Sequence, residues 1–153
     1  MTTQDVPNLL VAFSDPVTMR YYPAMMNEEE TMGWIRRTLD HYATFGVGFW
    51  VVEEKLTGRF LGQCGIIPQK IDGIRQMEIA YLLVRHEWGQ GYATEAASAC
   101  KQYGFAAMGY NKLVSLIDVH NTPSIRVAER IGVQVEQTII KWGKEVRVYS
   151  VSR

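Results

Sequence analysis

The 153-residue chain predicts a single α+β domain, and three observations point there. The first 45 residues read as helix and loop. Three strand-like runs joined by tight turns fill residues 49 to 84. From there strand and helix alternate until a closing hairpin, an order in which one sheet gathers helices onto its surfaces. The length suits one core, and no repeat or Pro/Ser-rich linker divides residues 1–153, so the whole chain reads as one domain.

Taken in order, Asp5 to Phe13 reads as a short helix, and "SDPVTMRYYP" turns through Pro16 toward Tyr21 and Tyr22. Asn27 followed by Glu30 is a capping-box pattern. Met32, Ile35, Leu39 and Tyr42 then recur at helical spacing, predicting a helix over 28 to 44. Beyond Gly46 and Gly48 come "FWVVEE", "FLGQCGII" and "QMEIAYLLV", divided by Thr57–Gly58 and Asp72–Gly73, dipeptides of hairpin turns. Tyr92 to Met108 keeps a helical period with small residues on one face, which predicts close packing on a sheet. "KLVSLIDV" reads as a strand. Thr122 is the expected N-cap of a helix with Pro123 in its first turn and Gly132 as its stop. Strands at about 133 to 142 and 145 to 152 meet around "WGKE".

Composition narrows the function. Sixteen basic and sixteen acidic residues cancel. Such a balance lacks the clustered Lys and Arg that release counterions from nucleic acid, so no nucleic-acid partner is expected. No window approaches a membrane span and no basic-then-apolar leader opens the chain; a cytoplasmic protein without membrane association is the expectation. Cys64 and Cys100 have neither CxxC nor Cys/His neighbours and read as buried thiols of a reducing compartment. His41, His86 and His120 form no pair with metal-ligand spacing, so no metal is expected.

The segment "EWGQGYATEA" carries the strongest chemical signal. Gly89 and Gly91 lie between a strand and a helix start, where backbone N–H groups and the helix dipole favour an anion. A plain connecting turn is one reading. A dinucleotide loop is another, since "GQGYAT" approximates G-x-G-x-x-G/A and Asp118 lies in the next strand. Against it stand Thr94 at the third small position, a hairpin meander in place of βαβ units, and too little chain for a doubly wound sheet. The aromatic and sulfur-rich "YYPAMM" is a candidate pocket lining, with Tyr21, Tyr22 and, across the sheet end, Trp142 as substrate-contacting residues.

"EIAYLLVRHEWGQGYATEA" followed by "VHNTPSIRVAERIG" resembles the GNAT superfamily of acetyl-CoA-dependent N-acetyltransferases. "FSDPVTMRYYP" extends the likeness across nearly the whole chain, and the closest resemblance is to the RimJ/RimL group, which acetylates N-termini of ribosomal proteins. The resemblance implies a twisted, mixed, mostly antiparallel sheet with helices on both faces. It implies acetyl-CoA as co-substrate, with the pyrophosphate loop on Trp88, Gly89, Gln90, Gly91, Tyr92 and Ala93, and Thr94 beside it. Trp88 replaces the usual Gln or Arg and is expected to pack. Leu82, Leu83 and Val84 would offer backbone hydrogen bonds to the pantetheine arm, and Asn121 a side-chain one.

For direct transfer to a primary amine, the resemblance places a general base at Glu78, with Glu145 as second choice. It places the proton donor for the leaving thiolate at Ser124, with Tyr149 as a substitute. The acceptor is a protein N-terminus or a small amine; the alternative is a non-catalytic acyl-CoA-binding domain. Relatives usually begin with a further strand that nothing before Asp5 supplies, so "GFWVVEE" is expected at a sheet edge open to pairing in a homodimer.

Overall fold

The computed structural model describes residues 1–153. After a single 3-10 turn, α1 (Val6–Phe13) and α2 (Glu28–Phe45) precede three strands, β1 (Phe49–Glu53), β2 (Phe60–Ile71) and β3 (Ile74–Leu83). Then come α3 (Tyr92–Ala106), β4 (Lys112–Asp118), α4 (Thr122–Arg130), β5 (Gln134–Lys141) and β6 (Lys144–Ser152). One six-stranded sheet runs β1-β2-β3-β4-β6-β5, antiparallel at every junction but β3–β4.

Local chemistry explains the elements. The capping box at Asn27 is present in full: Asn27 Oδ1 accepts from Glu30 N–H, and Glu30 Oε2 accepts from Asn27 N–H. β2 runs four residues past "FLGQCGII", because the Asp72–Gly73 turn keeps its register with β3 through Ile71↔Ile74. At α4 the cap is Asn121 and not Thr122: Asn121 Oδ1 accepts from Ser124 N–H at 3.3 Å, and Thr122 is the first helical residue. Proline at the second helical position suits either register, so the sequence pattern does not separate them.

Strand alternation sorts the core. Cys64, Ile66, Ile79, Leu113, Ile117 and Tyr149 face α3 and α4. Leu82, Val84 and the inward residues of α1 and α2 pack on the opposite side, so helices cover both faces. The small-residue face of α3 is needed for contact: a Cβ on Gly104 would lie 2.9 Å from Leu113 Cδ1 and 3.1 Å from Ile66 Cδ1. Cys64 and Cys100 meet there, Sγ to Sγ 3.5 Å, and the Cys64 thiol is pushed up by the hydrogen bond to Cys100 and by burial.

β1 is the sheet edge, as the sequence predicts, and it approaches β2 closely. A Cβ on Gly65 would stand 2.1 Å from Gly48 O and 2.6 Å from Phe49 Cα, both backbone atoms that cannot rotate away. Gly65→Ala is therefore expected to lower stability by about 2–3 kcal/mol. The urea midpoint measures it; an unchanged midpoint would show that β1 is free to shift.

Candidate functional site

The functional geometry begins where β3 and β4 separate. These parallel neighbours pair only at Glu78↔Val114, and beyond that point side chains occupy the places of ladder bonds. Ser115 Oγ donates to Ile79 O at 2.9 Å, and Leu116 N–H donates to Glu78 Oε1 at 3.1 Å. The carboxylate is thus wedged at the apex of a V.

On β3, Val84 N–H donates to Leu61 O of the β2 side, while the carbonyls of Ile79, Tyr81 and Leu83 accept from Ser115, Tyr22 and Trp88 in the V. Peptide direction alternates along a strand, so Tyr81 and Leu83 present N–H and C=O to the gap. Leu82 and Val84 turn theirs toward β2 and bury their side chains under α1 and α2. Of the three residues expected to offer backbone hydrogen bonds, Leu83 faces the gap; Tyr81 joins it, and Leu82 and Val84 do not. Sequence dictates which residues alternate but not which phase meets the gap.

The loop follows directly. Gly89 and Gly91 adopt φ of 76° and 85°, and α3 starts at Tyr92 with no side-chain cap. The N–H groups of residues 89 to 94 find no backbone carbonyl; the first turn closes only with Glu95 N–H on Gly91 O. A Cβ at Gly89 or Gly91 would meet nothing within 4 Å. This open row of donors at a helix N-terminus fits a pyrophosphate. Trp88, expected to pack, is instead 44% exposed, tied to the strand through its Nε1–H, which donates to Leu83 O at 2.9 Å. Beneath the turn lies Glu87, 1% exposed, paired with Arg59 and accepting from Gln90 Nε2. From Gly91 and Thr94 a shallow groove follows α3 to Arg130.

Between the sheet, α2 and the segment 21–26 that leads into it lies a cavity of about 610 Å³ that reaches Glu78. Glu78 is 6% exposed and accepts from Gln69 Nε2 at 2.9 Å. Burial pushes its pKa up to about 7, against the pull of Gln69, of Leu116 N–H and of the Lys141 charge. No cation pairs with it directly, which distinguishes it from a structural ion-pair carboxylate.

Tyr21, Tyr22, Trp142, Asn121 and Ser124 all line the same cavity. The tyrosines strap its mouth: Tyr21 OH donates to His120 O at 3.0 Å, Tyr22 OH donates to Tyr81 O at 3.3 Å, and Lys144 Nζ bonds Tyr21 O while pairing with Asp118 at 2.8 Å. Although over a third of Tyr22 stays exposed, its hydroxyl end is desolvated and lies near Glu78, and both effects hold its proton more firmly.

Two alternatives fall away. Glu145 is exposed and outside the cavity, because β6 alternation turns it from the face that carries Lys144 and Val146. Tyr149 is fully buried in the core under α3 and α4, on the other face of the sheet from Glu78. Tyr81, whose hydroxyl donates to Ser124 O at 2.9 Å and ties β3 to α4, is not among the residues that the sequence singles out; nor are Gln63 and Gln69. A signal for the glutamines exists, since both share the two-residue phase of Ile67, the partner of Glu78.

No His/Cys/Asp/Glu group has the arrangement to hold a metal, and no helix is long and apolar enough to cross a membrane. Residues 1–134 match the family described as acetyltransferase (GNAT) domain. The Bacillus subtilis protein YkkB is 46% identical over 137 residues, covering 90% of this chain and 80% of YkkB. The crystal structure of the acetyltransferase from Agrobacterium tumefaciens str. C58 superposes with TM-score 0.87 at 27% identity, covering 100% of this chain and 88% of that one. RimL, the ribosomal L7/L12 alpha-N-protein acetyltransferase in complex with coenzyme A, shares the fold with TM-score 0.81 at 16% identity over 99% of this chain and 90% of its own. Parted strands, an uncapped glycine turn and a buried carboxylate thus occur in a chain that belongs to the GNAT acetyltransferase family of enzymes.

Proposed function

We propose that the protein transfers the acetyl group of acetyl-CoA directly to a primary amine lying in the cavity under α2. The observation that carries this is the meeting at one apex of a donor channel, the V between β3 and β4, and an acceptor cavity that ends on a buried carboxylate. When bound, acetyl-CoA supplies a thioester with a good leaving group. The chain's own residues do the rest by positioning.

The loop amides of 89 to 94 hold the pyrophosphate, and the Tyr81 and Leu83 peptides extend sheet-like bonding to the pantetheine arm. A gap-facing N–H of that strand polarises the thioester carbonyl. Glu78 takes the proton that the amine must lose before or as it attacks; at about 7 its pKa suits a base at neutral pH. As the N–C bond forms and the C–S bond breaks, Ser124, in the first turn of α4 at the cavity wall, passes its hydroxyl proton to the thiolate while solvent water returns one to Ser124 Oγ. Asn121 holds that turn in place through its cap.

Shared architecture with RimL supports a protein N-terminus as acceptor, and cavity size equally supports a small amine. A screen of primary amines and N-terminal peptides with acetyl-CoA, read by release of free thiol, tests the reading. Acetylation of at least one acceptor is the expected result. Tight coenzyme A binding with no thiol release above hydrolysis for any amine would instead establish a non-catalytic acyl-CoA-binding domain.

A further inference from the structure

The far end of the acceptor cavity contains a polar group that the transfer chemistry does not use. Gln63 lies on β2, only 2% exposed, and lines the cavity. Its Oε1 accepts from Trp34 Nε1–H at 3.1 Å, and since the indole nitrogen only donates, the amide orientation is fixed. Its Nε2 therefore points two N–H donors at the cavity, and no protein acceptor meets them. Gln63 Nε2 is not among the buried atoms left without a partner, so cavity water meets these donors in the free protein, and a ligand oxygen that takes the water's place keeps the hydrogen bonds while its apolar body gains burial.

Charge around this end agrees. Trp34, Arg37, Thr38 and His41 occupy one stripe of α2 at helical spacing, and all four line the cavity. Arg37 lies over the Trp34 ring, guanidinium carbon 5.7 Å from its centroid. Burial pushes the His41 pKa down, so His41 adds no firm positive charge. Glu30, the acid on this side, is occupied by the Asn27 N–H of the capping box. Of the acids at the opposite end, Asp118 is paired with Lys144, which leaves Glu78 to face the reacting amine. A second cation on the acceptor would thus meet Arg37 and two N–H donors.

We propose that Gln63 selects the acceptor: the substrate is a primary amine with an apolar body and, at its far end, a carbonyl or carboxylate oxygen that accepts from Gln63 Nε2. Gln63 stands four residues along β2 from Ile67, which pairs with Glu78, so this oxygen lies on the order of 10 Å from the amine. The apolar body lies on Trp34, Phe49 and Met26. Polyamines are the wrong class, with a cation where the cavity offers donors. This assignment rests on the acceptor cavity of the transferase reading, and binding can be measured apart from turnover.

The test uses primary amines of matched length, with and without an amide or carboxylate oxygen at the far end, and spermidine. Calorimetry with the full chain measures binding, and thiol release with acetyl-CoA measures transfer. The oxygen-bearing members are expected to bind roughly 10-fold more tightly than their oxygen-free partners. Gln63→Glu keeps an acceptor for Trp34 Nε1–H but replaces the donors by a repelling oxygen, and should abolish or invert that preference. Gln63→Met, a neutral second variant, should reduce it to within about 2-fold.

Equal binding of both members by the wild-type chain, a preference that survives in both variants, tighter binding of spermidine, or no binding by any member would each overturn the proposal. The expected binding pattern without thiol release would leave Gln63 as a selector of ligands and refute the transfer chemistry instead. Binding without the preference, together with transfer, would do the reverse.

Discussion

Glu78→Gln is expected to lower kcat by about 10²–10⁴-fold while leaving acetyl-CoA affinity within about 2-fold of wild type. The side chain keeps its shape but loses the capacity to take a proton. Wild-type kcat/KM should rise with pH and level off above about 7, because Glu78 acts as a base only when ionised and burial holds its pKa there. The variant should lose that limb of the profile.

The same substitution should make the fold more stable at high pH. Below its ordinary pKa of 4.5 the carboxyl is neutral in both folded and unfolded chains and carries no penalty. Between 4.5 and about 7 the unfolded chain ionises first, so stability falls as pH rises; above about 7 the full penalty, roughly 3 kcal/mol, persists. The amide that replaces the carboxyl never ionises, so the variant should gain about 1–3 kcal/mol over wild type at pH 8 and nothing near pH 4. Urea midpoints at the two pH values measure this. A variant that loses stability equally at both and keeps its turnover would show that Glu78 is only a strand residue.

How much of this is legible in the sequence depends on the range of the interaction. The capping box at Asn27, the Asp72–Gly73 turn and the Gly89/Gly91 loop are set by neighbours within a few residues, and each stands in the fold where its motif places it. Helices on both faces follow from the order of elements and the family resemblance. Backbone hydrogen bonds from the end of β3 are expected from that resemblance, but which peptide groups face the V depends on pairing register between strands 36 residues apart. For the same reason the resemblance points to Leu82 where Tyr81 stands.

Glu145 and Tyr149 fail for a related cause: β6 enters between β4 and β5, and only that insertion decides which of its faces meets the cavity. Gln63 escapes a reading of the sequence because a glutamine in an apolar strand has no local signature of use. It becomes informative once Trp34, from a helix 29 residues away, is seen to hold its oxygen.

At the other end of the site, Thr94→Asp is expected to weaken coenzyme A binding by roughly 10–100-fold while raising stability. Thr94 is the third residue of α3, beside Gly91 in the groove, where the first-turn N–H groups point outward without partners. A carboxylate there accepts from those donors and complements the helix dipole, worth about 0.3–1 kcal/mol to the folded chain. It does so by occupying the donors a pyrophosphate needs and by placing a like charge beside it, and these losses add in the same direction. Thr94→Asn, with nearly the same shape and no charge, should stay closer to wild-type affinity; calorimetry with coenzyme A compares the three proteins. Equal loss in both variants would mean that side-chain shape and not charge governs the loop, and unchanged affinity in both would remove the loop from the donor site. Raised salt should narrow the gap between Asp and Asn, because their difference is electrostatic and the groove is open to solvent. The two substitutions then agree in sign: at Glu78 and at the α3 N-terminus, the native residue leaves unrelieved a cost that a simple replacement removes, and each cost is located where a substrate group would relieve it.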